Sequence, residues 1–333
     1  MKKSFCELVL DYFPRISQVG NLYATNIANC IFNSFLSYTA IMLNIVTIHA
    51  IGKTPSLPRT LKTLLLSLAV SDVGVGFLVQ PFYSSLLVKW LQKMIPNCGT
   101  FKTLAIIGNL FATASFLGVV AVSVDRFLAI HLHLRYRELV THKRVVAVVI
   151  SIWVSSVFVS FLLFWVPLDI YSLIMAFIAV VGLVLTAVIY LRIFFTVKQH
   201  KNQIQVQQVQ QVAPVGEIII LTRLTKSAVG IFYVYLVFLV CYLPYLICLV
   251  APQMNGPSIV LKRFSLFSYT LLYLNSSLNP VIYCWKMRHI RQAVLSILRN
   301  MSWHKKDASR ETLALAGHAM PWFSAVVVVK RFL

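Results

Sequence analysis

The sequence predicts an all-α membrane protein, a seven-transmembrane helix bundle followed by an amphipathic cytoplasmic eighth helix. Three observations lead there. Of 333 residues, 59% are hydrophobic and only 12% charged, where a water-soluble domain carries about 25% charged residues. Seven apolar segments each approach or exceed the roughly 20 residues needed to cross about 30 Å of hydrocarbon. Between them the cations alternate, dense on one side and sparse on the other.

The N-terminal stretch 1–27 is read as extracellular. Its start, MKKSFCELVLDYFPR, is basic with a short apolar patch, but Glu7, Asp11 and Pro14 interrupt it, which makes a poor signal peptide. The first helix serves as insertion signal instead. The spans fall at about 28–51, 61–88, 103–130, 143–166, 170–197, 222–250 and 261–284, and the longer ones must tilt or project beyond the lipid. The loops after helices one, three and five hold twelve cations, among them Lys53, Arg59, Arg135, Arg144, Lys198 and Arg223. Those on the other side hold Lys89, Lys93, Lys102, Lys262 and Arg263. The positive-inside rule then puts the N-terminus outside and the C-terminus in the cytosol. Trp90 and Trp165 fall near predicted outer ends, where interfacial anchors belong.

Helices four and five are separated by only a few residues around Pro167 and Asp169, too few for a folded cover over an outer pocket. The third cytoplasmic loop contains QIQVQQVQQVAP, read as flexible or as a ragged helical extension that a partner orders. After the bundle (28–284), WKMRHIRQAVLSILRN (285–300) pairs apolar positions with cations and is expected to lie along the inner leaflet. Residues 301–333 form a cytoplasmic tail whose last stretch, AVVVVKRFL, is too short to span.

Composition also excludes. The formal charge of +21 would point to nucleic acid in a soluble protein, but these cations flank apolar runs beside an anionic membrane surface, so lipid is the partner and no nucleic acid is expected. The six cysteines lack metal-ligand spacing; only Cys98, at an outer helix end, is a disulfide candidate. Asn275 and Asn300 fit the glycosylation pattern but fall in a helix and in the predicted tail. No HExxH pair, GxSxG elbow or phosphate-binding glycine loop is present, which argues against an enzyme. Neither repeat symmetry nor paired midplane breaks point to a transporter.

Asp72 sits inside apolar helix two. A carboxylate at membrane depth is costly and faces the bundle interior with a partner. One reading is a neutral Asp packing two helices together. The other gathers Asn44, Ser115, Asn275, Ser276 and Asn279 around it as a small hydrated cation site, most simply for sodium. Asp125-Arg126-Phe127 closes helix three. Arg126 alone reads equally as a snorkelling cation. Tyr190 near the inner end of helix five, and Asn279-Pro280 with Tyr283 closing helix seven, add a kinkable helix and polar groups that can hold two alternative packings.

Taken together, Asn44, LAVSD ending at Asp72, DRF followed by LAIHLHLRY, Trp153, CYLP around Pro244 and NPVIY resemble the rhodopsin-like G-protein-coupled receptors over roughly residues 28–298. The resemblance implies a plasma-membrane receptor that is no enzyme and needs no cofactor beyond an allosteric sodium ion at Asp72. It implies that the receptor passes an extracellular ligand signal to a heterotrimeric G protein, with arrestin and a receptor kinase as further partners. It makes Arg126 the arginine released on activation, Tyr190 and Tyr283 the tyrosines that swing toward it, Pro244 the kink of helix six, and Leu134 the cytoplasmic-loop residue that enters the G protein.

The departures are as informative. Tyr242 stands where the family usually has Trp, Leu224 where some relatives have an acidic partner for Arg126, and His133 where proline is common. No cysteine lies between Trp153 and Tyr190, so the family's disulfide to the second outer loop cannot form. Within the class, LAVSDVGVGFLVQPF is similar to adenosine receptors, whereas the very short second outer loop is similar to melanocortin receptors. The family spacing back from Arg126 lands on Gly108 with Asn109 beside it, so the carboxylate an aminergic receptor needs is missing. Residues 264–284 hold no lysine for a retinal Schiff base. Candidate pocket residues are Gln80, Phe82, Tyr83, Asn109, Tyr245, Phe267, Tyr269 and Tyr273; aromatics with sparse polar groups suit a nucleoside-like, lipid-like or small peptide ligand. A non-signalling decoy or scaffold receptor of the same fold is the rival reading.

Overall fold

The computed structural model describes residues 19–94, 96–132, 135–209, 232–233, 235–251, 258–286, 288–297 and 299. These form helices α1 (Val19–Lys53), α2 (Arg59–Leu91), α3 (Cys98–His131), α4 (His142–Phe161), α5 (Leu168–Val209), α6 (Tyr235–Ala251) and α7 (Ile259–Lys286). Helices α1 to α5 are each long and apolar enough to cross a membrane, and α6 is a shorter apolar helix. The chain is an all-α bundle of seven transmembrane helices. Residues 288–297 are also helical, with Ile290 and Ile297 buried.

Side chains sort by what surrounds them. Phe35, Phe77, Val154, Phe158, Phe177 and Val184 are exposed, which in hydrocarbon is their favourable state, while the interior holds an uncommon number of polar groups. Along α1 these follow helical spacing: Asn26, Asn29, Asn33 and Asn44 are all at most 1% exposed. Asn33 Nδ2 donates to Thr270 Oγ1 at 2.9 Å, the Thr270 hydroxyl donates to Asn29, and Asn44 Nδ2 donates to the Ser276 carbonyl at 2.8 Å. Lipid tails give helices no hydrophobic reason to associate, so such bonds and close packing fasten α1 to α7. α1 starts at Val19, before the 28 expected from hydropathy: Asn21 and Asn26 depress the apolar score of the first turns, and Asn26 is turned inward.

Proline dictates the shape of α2. Pro81 has no N–H and its ring crowds the carbonyl four residues back. The helix widens into a π turn over Val75–Val79, and the Gln80 N–H reaches back to the Val75 carbonyl. The Ser37 hydroxyl donates to the Gly76 carbonyl at 2.7 Å. A Cβ on Gly76 would meet the Ser37 carbonyl oxygen and Ile41 at 3.0 Å, so the helices touch there because residue 76 has no side chain.

At the start of α3 the Asn97 side chain accepts from the Thr100 N–H at 2.8 Å, an N-cap. Cys98 is disulfide-bonded, whereas Cys30, Cys241, Cys248 and Cys284 are free. α5 continues to Val209, so the first part of the Gln-rich stretch is a helical extension. Trp165 is 73% exposed as an anchor should be, but Trp90 is 2% exposed and packs on Phe101 with ring centres 5.8 Å apart. Trp90 is therefore a core residue; an indole near a helix end serves either role, and packing decides.

Candidate functional site

Three groups of residues meet inside the bundle. The first surrounds Asp72, fully buried on α2, whose Oδ2 accepts from Asn279 Nδ2 on α7 at 2.8 Å. The Ser276 side chain lies beside the same carboxylate. Asn44 joins through its bond to the Ser276 carbonyl. Asp72 Oδ1, Asn44 Oδ1, Ser115 Oγ, Asn275 Oδ1 and Asn279 Oδ1 are buried without a protein partner. Buried oxygens normally find a partner. A carboxylate with neutral side-chain oxygens beside it, here Asp72 with Asn279 and Ser276, is the donor chemistry a small hard cation takes together with its water.

The second group lies at the inner end of α3. Arg126 and Asp125 are 2% and 4% exposed. The guanidinium grips Asp125 Oδ2 through Nε at 3.0 Å and through a closer Nη2 contact. The other oxygen, Oδ1, accepts from the Tyr136 hydroxyl at 2.6 Å, and Tyr136 also pairs with Thr60 Oγ1 of α2 at 3.0 Å. Buried charges persist only when paired and hydrogen-bonded, and here one carboxylate carries both partners. Ser123 donates to the Tyr190 hydroxyl at 3.1 Å, and Tyr190 lies within electrostatic reach of Arg126. Tyr283, 2% exposed, lies within reach of both Asp72 and Tyr190, between the two polar groups. Leu134, His133 and Leu224 lie outside the described residues.

Tyr136 and Thr60 are sites that pattern reading missed. The signal was a tyrosine eleven residues after Asp125, past the helix end, which becomes meaningful only once the short turn Tyr136–Leu139 folds back. Burial, and then the Asp125 carboxylate beside it, push the Tyr136 phenol up to about 12. The raised value means that its contribution to stability is present below the ordinary phenol range and is lost as pH climbs through about 12. Tyr136→Phe is expected to cost about 1.5–3 kcal/mol at neutral pH, typical of a hydrogen bond to a charged group. In melting-temperature measurements on purified protein the deficit should narrow as the pH rises toward that value.

Between them and the outer surface lies a connector on α6. The Tyr242 ring stacks on Phe238 at 3.8 Å and faces Phe116 of α3 at 6.3 Å, and its hydroxyl donates to the Ala112 carbonyl at 3.3 Å. Tyr242 also lies within electrostatic reach of Asp72 and beside Ser115. Pro244 stands one turn or less from this stack within α6, and Pro280 is the proline inside α7.

The third group is a cavity of about 160 Å³ lined from α2, α3, α5, α6 and α7. Of the candidate pocket residues, Tyr83, Asn109, Tyr245, Tyr269 and Tyr273 line this one cavity, with Gly108 and Tyr171 beside them. Gln80, Phe82 and Phe267 are not among its lining residues. Gln80 is fully buried, its amide reaching the Asn33 carbonyl at 3.5 Å, and Phe82 and Phe267 are 40% and 48% exposed. A helix that is apolar all round does not announce which face looks inward.

Comparison with known proteins agrees with this architecture. The family model described as 7 transmembrane receptor (rhodopsin family) matches residues 43–168 and 165–283. The D(2) dopamine receptor A of Xenopus laevis is 28% identical over 192 residues, 53% of this chain and 42% of that receptor. The histamine H2 receptor of Cavia porcellus is 35% identical over 121 residues, 36% of this chain and 33% of that receptor. The matched stretch thus spans less than half the length of either relative.

Proposed function

The chain belongs to the rhodopsin family of seven-transmembrane receptors, and from that premise we propose that it carries an extracellular ligand signal across the plasma membrane to a heterotrimeric G protein. The observation that supports this most is the state of Arg126: buried, tied to Asp125, with Asp125 held in turn by Tyr136. Such a pair is a latch. Its arginine becomes available to a partner only when the inner ends of the helices separate, which is a two-state element that a ligand biases by binding one packing better.

The outer cavity sits on the other side of Tyr242. A ligand that displaces the tyrosines around it shifts Tyr245 and, on the same helix, the Tyr242–Phe238 stack. Outward movement of α6 then exposes the cleft around Arg126, Tyr190 and Tyr283, and the output is nucleotide exchange on the G protein. Nothing covalent is asked of the receptor. We assign the Asp72 group to a sodium ion that favours the packing with Asn279 held to Asp72. We place the N-terminus outside, the C-terminus in the cytosol, and residues 288–297 against inner-leaflet lipid, with arrestin and a receptor kinase acting on the same cytoplasmic face.

The names of the two relatives contain amines. Transfer of that ligand class is opposed by Gly108 at the counted helix-three position and by a cavity lining that holds no carboxylate among the described residues. Nucleoside-like, lipid-like and small peptide ligands are the classes we retain. A decoy that binds without signalling is the second reading, motivated by Tyr242 in place of Trp.

The test is basal activation across G-protein subtypes in transfected cells, comparing the intact chain with Arg126→Ala at equal surface display. We expect a basal signal that falls to background in the variant. A signal untouched by Arg126→Ala would sink the latch. Proven ligand binding with no signal from any subtype would favour the decoy.

A further inference from the structure

We propose that the outer cavity takes a compact, uncharged ring molecule that carries hydrogen-bonding groups at two separate points. This rests on the receptor reading above and narrows its ligand class.

Charge is the first argument. Among the described residues, none that lines the cavity is ionic. A cation or an anion entering would leave its hydration in water and meet no opposite charge. Five tyrosines line the space, and a tyrosine face does attract cations, but these rings are largely spent on one another. Tyr83 meets Tyr273 edge-on at 5.4 Å and Tyr269 at 5.7 Å, and Tyr245 meets Tyr269 at 5.7 Å. That is a packed aromatic wall. It recovers only part of an ammonium's hydration.

Unmet hydrogen bonds are the second argument. The rings of Tyr83 on α2 and Tyr171 on α5 line the cavity, and among the described residues their buried hydroxyls have no partner, in residues 1% and 4% exposed. A buried hydroxyl without a partner is costly, and a ligand toward which a ring turns its hydroxyl gains what the empty site lacks. Asn109 adds an amide able to donate and accept. The occupant is therefore polar at two places and apolar between them, where Leu104, Leu249 and Leu272 line the walls.

Size is the third. Pockets for drug-sized ligands run to roughly 300–1,000 Å³, and this space is about 160 Å³. It matches one ring system held within it better than a folded peptide or a whole lipid chain.

Pairs that share a ring system and differ in charge give the test, one charged member being the larger of its pair and the other the smaller. The full-length receptor, purified in nanodiscs, is melted with N-acetyltryptamine against tryptamine, adenosine against adenosine monophosphate, and caffeine, with dopamine, histamine and tetramethylammonium as cations. Wild type is compared with Tyr83→Phe and Tyr171→Phe, which remove only the unpartnered hydroxyls and so are expected to leave the unliganded melting temperature unlowered. We expect stabilisation by uncharged members of the panel, at least about tenfold tighter than their charged twins. Affinity for these should fall roughly three- to tenfold in each phenylalanine variant, as for one lost hydrogen bond. The proposal is overturned if the charged twins or tetramethylammonium bind as well, if uncharged binding ignores both variants, or if no uncharged compound stabilises at millimolar concentration. Binding here is read without a G protein. Its failure leaves Arg126-dependent activation standing, and loss of that activation leaves cavity binding standing.

Discussion

Sodium chloride is expected to raise the melting temperature of the purified wild-type receptor above its value in choline chloride, and Asp72→Asn is expected to erase that difference completely. The substitution keeps shape and keeps an oxygen that accepts from Asn279 Nδ2, the 2.8 Å bond that links α2 to α7. Stability in choline should therefore change by less than about 1 kcal/mol. What disappears is the negative charge, and with it the attraction for a cation among otherwise neutral oxygens. Basal signalling should likewise lose its dependence on sodium. Equal melting temperatures of the wild type in the two salts would remove the ion from the account and leave Asp72 as a helix-packing hydrogen bond.

Gly182→Ala is expected to disturb the connector more than any other single methyl. A Cβ at that position would lie 2.3 Å from the Phe116 ring, inside contact distance, so ring or helix must move. Over-packing of this kind costs about 1–3 kcal/mol. The displaced ring is the one that packs on Phe238 at 5.4 Å and faces Tyr242, so the change reaches α6 and basal activation should shift together with the melting temperature. Phe116→Leu in the same chain relieves the clash and should restore most of the lost stability. A double variant no more stable than Gly182→Ala alone would show that the glycine acts through something other than Phe116.

The spans were legible in the sequence because hydropathy and cation placement are summed over twenty residues and tolerate local exceptions. The motifs around Asp72, Arg126 and Asn279 were legible because a charge or amide in an apolar helix has few harmless explanations. Local geometry was less so. Asn21 and Asn26 lowered the apparent hydropathy of 19–27 and hid the first turns of α1, although Asn26, Asn29 and Asn33, spaced by three and four, were themselves a helical stripe. Gln80 looked like a pocket residue by position, but burial against α1 turned it away. Tyr171 follows directly on a short loop, where sequence offers no register. The finer placement beside adenosine and melanocortin receptors rests on the helix-two motif and the short outer loop alone.

The π turn at Val75–Val79 carries a consequence for insertions and deletions. A π turn amounts to one residue added to an α-helix and taken up in a wider turn. Deleting one residue between 75 and 79 would therefore draw α2 back into regular winding with the faces on either side kept, and Tyr83 would still turn to the cavity. The same deletion in a regular stretch of the helix rotates everything beyond it by about 100°, one step of a 3.6-residue helix. The stretch 75–79 is thus the place where α2 can lose a codon while both the pocket wall and the machinery around Asp72 keep their partners.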